Sequence, residues 1–295
     1  MLNAPNVQVW LSAIAFAYLA IGLVFVIIVW KLASRRRTKI IGALLAIGLL
    51  ASWPIYVQVK SMLERYAFQE RYKIAAARFA ERCKTAGEMI VRTVDDVEGI
   101  LVLNMRTSKD KGYGVKQMAP GAAFYFESTE EDYLRSFLWS EDREGGRRGR
   151  LYDRRTDPDF PGYAYVDFID PEDKKRYRYY LVEKPDPHST NHAPRVLERR
   201  LASEPAPRYG VTFVDLVDSE DRDHWIAGSI VKVIDLQTNE EIARHTRIAF
   251  DRGLGSGATQ RVPWAFASYC PFIGPTYAAQ TRHFVDQVLK PRTGR

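Results

Sequence analysis

Trp10–Trp30 is a run of 21 residues without a charged side chain, and Ile40–Val59 is a second such run of 20 residues. A helix rises 1.5 Å per residue, so each run would cover roughly 30 Å, the thickness of a bilayer's hydrocarbon core. Trp10, Trp30, Trp53 and Tyr56 lie at or near the ends, where interfacial aromatics belong. A buried helical hairpin inside a globular protein would need a polar stripe on each helix, and neither run has one. A cleaved signal peptide would carry its positive charge ahead of the apolar segment, but no Lys or Arg precedes Lys31. The pattern therefore predicts a transmembrane hairpin with helices over about 10–30 and 40–59.

The nine residues between the runs fix an expected orientation. Lys31, Arg35, Arg36, Arg37 and Lys39 lie in 31–39, while Met1–Val9 has no charge and the stretch after Val59 is mixed. Short loops rich in Lys and Arg stay in the cytoplasm, so residues 60–295 are expected outside. In a bacterium with two membranes that places the main domain in the periplasm, anchored to the inner membrane. The same count settles what the overall charge means. The chain carries 43 Lys+Arg against 36 Asp+Glu, a net of +7. Five of the basic residues belong to the loop, which leaves 38 against all 36 acids in the remainder. A nearly neutral domain is not expected to bind nucleic acid.

Beyond Val59 the pattern is mixed. Residues 60–86 read as a helix, with Leu63, Tyr66, Tyr72, Ala75, Ala76, Phe79 and Cys83 at three- and four-residue spacing and Gly87 as its stop. This helix either packs on its own domain or forms a dimerising stalk, which leaves oligomerisation through the helices open. Strand patterns follow at Glu88–Val94, Ile100–Met105, Ala122–Phe126, Tyr163–Phe168, Tyr177–Val182 and Tyr209–Val217. Trp225–Leu236 and Glu241–Phe250 flank Gln237–Glu240 as a hairpin, and Tyr277–Leu289 reads as a closing helix. The fold class expected is α+β: a mostly antiparallel β-sheet with flanking helices, over 60–295. Pro185–Pro207, with five prolines, reads as a long surface loop.

Residues able to carry chemistry are few. Cys83 and Cys270 are the only cysteines, and in an oxidising compartment they can form a disulfide. Asp218, Glu220, Asp221, Asp223 and His224 form the densest acidic cluster. Bunched carboxylates serve as an acid/base pair, the weak catalytic candidate here, or as a solvated turn. His188 and His192 have helical ligand spacing but sit among prolines, so no metal site is expected. Gly253–Gly257 has neither the Lys of a phosphate loop nor the frame of a nucleophile elbow, and no cofactor is expected. Arg143, Arg147, Arg148, Arg150, Arg154 and Arg155 are grouped with four acids and three glycines in 140–155, suited to contact with a protein or lipid headgroup.

The function expected is that of an anchored, extracytoplasmic, non-enzymatic binding protein. Its partners would be the bilayer and an envelope protein, in the manner of an immunity-type inhibitor or a secretion accessory. Two alternatives stay open: a tethered envelope hydrolase using the carboxylate cluster, and a ligand sensor whose domain is cytosolic if the topology is inverted.

Overall fold

The computed structural model describes residues 20–28, 30–31, 36–138, 162–183, 195–256, 261–272 and 280–292. The arginine group 143–155, Arg35, and the histidines at 188 and 192 lie outside these residues. The chain divides into two compact units, 1–70 and 71–295.

Helical backbone at 20–28 is followed by one helix of 48 residues, α1 (Arg36–Cys83), with Pro54 inside it. Arg36–Lys39, expected in a loop, are helical. Lys31 and Arg37 are exposed. Ile40–Val59 does not form a separate helix, because Lys60 to Cys83 contains no proline or glycine to stop it. The apolar run is thus the first half of a helix whose second half is charged. Among the described residues no helix is long and apolar enough to cross a membrane. The expected pair of transmembrane helices is therefore not found among them, and residues 10–19 of the first run lie outside them.

The second unit is an α+β domain built on a nine-stranded, largely antiparallel sheet. Its strands are β1 (Gly87–Ile90), β3 (Gly99–Val102), β4 (Tyr165–Ile169), β5 (Arg176–Glu183), β6 (Arg195–Leu201), β7 (Tyr209–Leu216), β8 (Ile226–Asp235), β9 (Glu240–Phe250) and β10 (Ser268–Cys270). They run in the order β1-β9-β8-β7-β3-β4-β5-β6, with β10 also on β9. Only β3 is parallel to its neighbours, β4 and β7. A separate parallel pair joins β2 (Val94–Val97) to β11 (Leu289–Pro291). The helices are α1, α2 (Glu131–Leu138), the five-residue α3 (Ser219–Asp223) and α4 (Gln280–Val288).

Two expectations change. Ala122–Phe126 is not a strand: Pro120 opens a 3-10 turn over Pro120–Phe124, and Pro suits the first helical position rather than a ladder. The proline-spaced loop contains β6, which pairs with β5 over seven residues. Prolines flank the strand and leave its N–H groups intact. The hairpin around Gln237–Glu240 is present, with β8 and β9 paired from Ile226–Phe250 to Asp235–Glu240 and a register shift between Val233 and Ile234.

Period-two alternation gives the sheet two unlike faces. One face sends Ile100, Val102, Val166, Val211, Val231, Val233 and Ala243 into the main core, beneath Phe124, Tyr133, Phe137, Trp264, Phe284 and Val288. The other face carries Ile226, Ile248 and Phe250, and the end of α1 lies over them. Tyr72, Ala75, Ala76 and Phe79 recur at i, i+3, i+4 and i+7, so they line the single stripe that meets the sheet. The Phe79 and Phe250 rings lie 5.2 Å apart. Cys83, one turn further on, is disulfide-bonded to Cys270 of β10, Cα atoms 5.7 Å apart.

Candidate functional site

The acidic cluster falls on α3, between β7 and β8. Asp218 is the N-cap: its carboxylate accepts the Asp221 backbone N–H at 2.8 Å. That bond is the first cause holding the Asp218 carboxyl below its ordinary range. The other acids turn to α1. Asp221, 8% exposed, accepts from Arg78 Nε through one oxygen and from Arg82 Nε at 2.8 Å through the other. Glu220 meets Arg78 Nη1 at 2.9 Å. Asp218 lies 3.7 Å from Arg78 Nη2. Arg78 is correspondingly raised above its ordinary value, chiefly by Glu220 and then by Asp221. Arg78 and Arg82 are one helical turn apart, so both reach the same short helix. The carboxylates expected as a catalytic candidate are brought together, and three of them are engaged in fastening α1 to the sheet domain.

Asp223 and His224 separate from that group. With Arg71, Ile74, Gln117 and Leu254 they line an open cleft of about 370 Å³. Arg71 and Ile74 share a face of α1, three residues apart. Gln117 is held by its side-chain amide, which donates to the Arg222 carbonyl at 2.6 Å. His224 caps α3 and has Nδ1 2.9 Å from the Glu220 carbonyl. Leu254 sits in a turn at φ 47°, shaped by Asp251. The Asp251 carboxylate accepts the N–H groups of Gly253 and Gly255 at 3.0 and 2.8 Å and pairs with Arg261. The glycine-rich segment is thus an ordered turn over its described part, 253–256. Among the described residues Arg71 and Asp223 make no ion pair, with each other or with a third group.

A second polar region is internal. Asp215, Ser229 and Arg247 form one cross-strand row on β7, β8 and β9, on the core face. Arg106, 1% exposed, bonds Asp215 at 3.1 Å and Ser229 at 2.9 Å, with its guanidinium 3.9 Å from the Phe213 ring centre. Buried Glu127 accepts Thr281 N and Oγ1, each at 2.8 Å. Burial nevertheless raises its carboxyl above the ordinary range. Burial lowers half-buried Lys111, with Glu127 and Glu130 partly opposing it. Arg222 is pushed down to about 10 by burial and donates to the carbonyls of Gln117, Pro120 and Leu216. Arg222 thus ties the 3-10 turn at Pro120 to α3, and Glu127 ties the start of α4 to the segment that follows that turn.

The sequence pattern singled out neither Arg106, Glu127 and Arg222 nor the cleft residues Arg71, Ile74 and Gln117, since each is an isolated residue brought in by tertiary contact. Among the described residues no group of three His, Cys, Asp or Glu side chains is placed to hold a metal ion. No family model, curated protein or solved structure matches the chain.

Proposed function

We propose that this chain is a membrane-anchored, extracytoplasmic binding protein. The apolar segments Trp10–Trp30 and Ile40–Val59 would lie in a bacterial inner membrane with the basic residues 31–39 on the cytoplasmic side. The sheet domain would face the periplasm and recognise an envelope protein, as an immunity-type inhibitor or a secretion accessory, without catalysing a reaction. The observation that carries this proposal is the Cys83–Cys270 disulfide, which suits an oxidising compartment and argues against a cytosolic domain.

Anchoring draws support from the surface of α1. Ile40, Ile41, Leu44, Leu45, Ile47, Trp53, Ile55 and Tyr56 are all exposed, an apolar surface far larger than isolated surface residues account for. Recognition is favoured over hydrolysis by the acidic cluster, whose Asp218, Glu220 and Asp221 are engaged with Arg78 and Arg82. A general acid/base pair needs carboxylates free to reach a substrate.

Reporter fusions after residue 59 test the topology. Active alkaline phosphatase with dark green fluorescent protein is expected, and the reverse would overturn the orientation. Capture from solubilised membranes tests the partner: a stoichiometric envelope protein is expected, and repeated recovery of none would count against recognition.

A further inference from the structure

We propose that the cleft between α1, α3 and the turn at Leu254 binds a small zwitterion, an α-amino acid or a short peptide with free ends. This goes beyond the envelope-binding proposal and does not depend on it. The cleft volume of about 370 Å³ falls within the range of small-molecule sites. Its chemistry is two-sided. Arg71 offers a guanidinium, whose planar fork matches a carboxylate. Asp223 offers a carboxylate, which accepts from an ammonium group. Both line the same cleft and neither makes an ion pair among the described residues, whereas the neighbouring acids Asp218, Glu220 and Asp221 are all matched to arginines. A simple anion would meet Arg71 but be repelled by Asp223, and a simple cation the reverse. A molecule carrying both charges satisfies both. Ile74 and Leu254 supply an apolar wall for an aliphatic side chain. His224, with Nδ1 at the Glu220 carbonyl, keeps Nε2 for a further polar contact.

The test is calorimetric titration of the purified full chain in detergent with L-leucine and with L-alanyl-L-alanine. Controls are N-acetyl-L-leucine, which lacks the ammonium, and L-leucinamide, which lacks the carboxylate. Binding of at least one zwitterion is expected, and the preferred one identifies a free amino acid or a peptide as the class. Each blocked derivative should bind about tenfold or more weakly. Arg71→Ala should weaken leucine about tenfold yet leave leucinamide unchanged, and Asp223→Asn should do the same with N-acetyl-leucine as its insensitive partner. Both residues are exposed, so both variants should fold, and Arg71→Lys should recover part of the affinity. Absence of binding by both probes at about 10 mM would overturn the proposal. So would equal binding of the blocked derivatives, or variants that bind as the parent does.

Discussion

Replacing Asp221 by Ala should loosen the junction between α1 and the sheet domain. The carboxylate has only 12% of its side chain exposed and accepts from two guanidinium groups, Arg78 and Arg82. Hydrogen bonds to charged groups contribute roughly 1.5–3 kcal/mol each, and a partner left in a half-buried place adds a desolvation cost. Partial recovery is available, since Arg78 keeps Glu220 at 2.9 Å while Arg82 has no second carboxylate within 4 Å among the described residues. The expected loss is therefore about 2–3 kcal/mol, below the sum for two independent contacts. Asp221→Asn, which keeps the shape and one acceptor oxygen, should lose about half as much. Urea unfolding of the full chain in detergent, followed by tryptophan fluorescence, measures this difference. A cycle with Arg82→Ala isolates the pair, with a coupling of about 1 kcal/mol expected. A loss below about 0.5 kcal/mol with no coupling would refute the docking role of the acidic cluster.

Three further outcomes follow from the same structure. Cys83→Ser with Cys270→Ser opens a 187-residue loop, for which the chain-entropy model sets a loss of about 5 kcal/mol as an upper figure. Urea midpoints should show a loss of about 2–5 kcal/mol, and one under about 1 kcal/mol would contradict the cross-link's structural role. Burial raises the Glu127 carboxyl, so this group favours the fold fully below its ordinary value of 4.5 and loses that contribution as pH rises through its higher folded value. Glu127→Gln removes this slope, so its stability relative to the parent should be better at about pH 8 than at about pH 4; an unchanged difference would refute the assignment. A Cβ at Gly255, where φ is +77°, would lie 2.0 Å from the Trp225 ring, and Gly255→Ala should lose about 2–3 kcal/mol by thermal unfolding. A neutral result there would mean that the turn is looser than its hydrogen bonds to Asp251 imply.

Much of the sheet was legible from local pattern, and most of the site was not. β8 and β9 are rich in apolar and β-branched residues and are joined by a short polar turn, so both strands and their pairing are readable in the sequence. β6 was hidden because its flanking prolines read as a loop, while its own residues Arg195–Leu201 carry no proline. Ala122–Phe126 has strand-like aromatics, but Pro120 and the packing of Phe124 into the core draw it into a turn. The cysteine pair was legible because two cysteines permit one pairing. The Arg78–Asp221 ion pair joins residues 143 positions apart, and nothing local distinguishes Arg78 from the other arginines of α1. Arg71, Gln117 and Leu254 likewise acquire meaning only where α1, the turn at Gln117 and the turn that follows β9 converge.

The measurement that bears most directly on an extracytoplasmic domain is the redox state of the two cysteines in intact cells. Cells producing the full chain would be acid-quenched and treated with maleimide-polyethylene glycol, with and without prior reduction. The proposed location predicts no mobility shift before reduction and a shift of two adducts after it, one for each of Cys83 and Cys270. Two adducts without any reductant would show both thiols free in the cell, and would contradict the placement of this domain outside the cytoplasm.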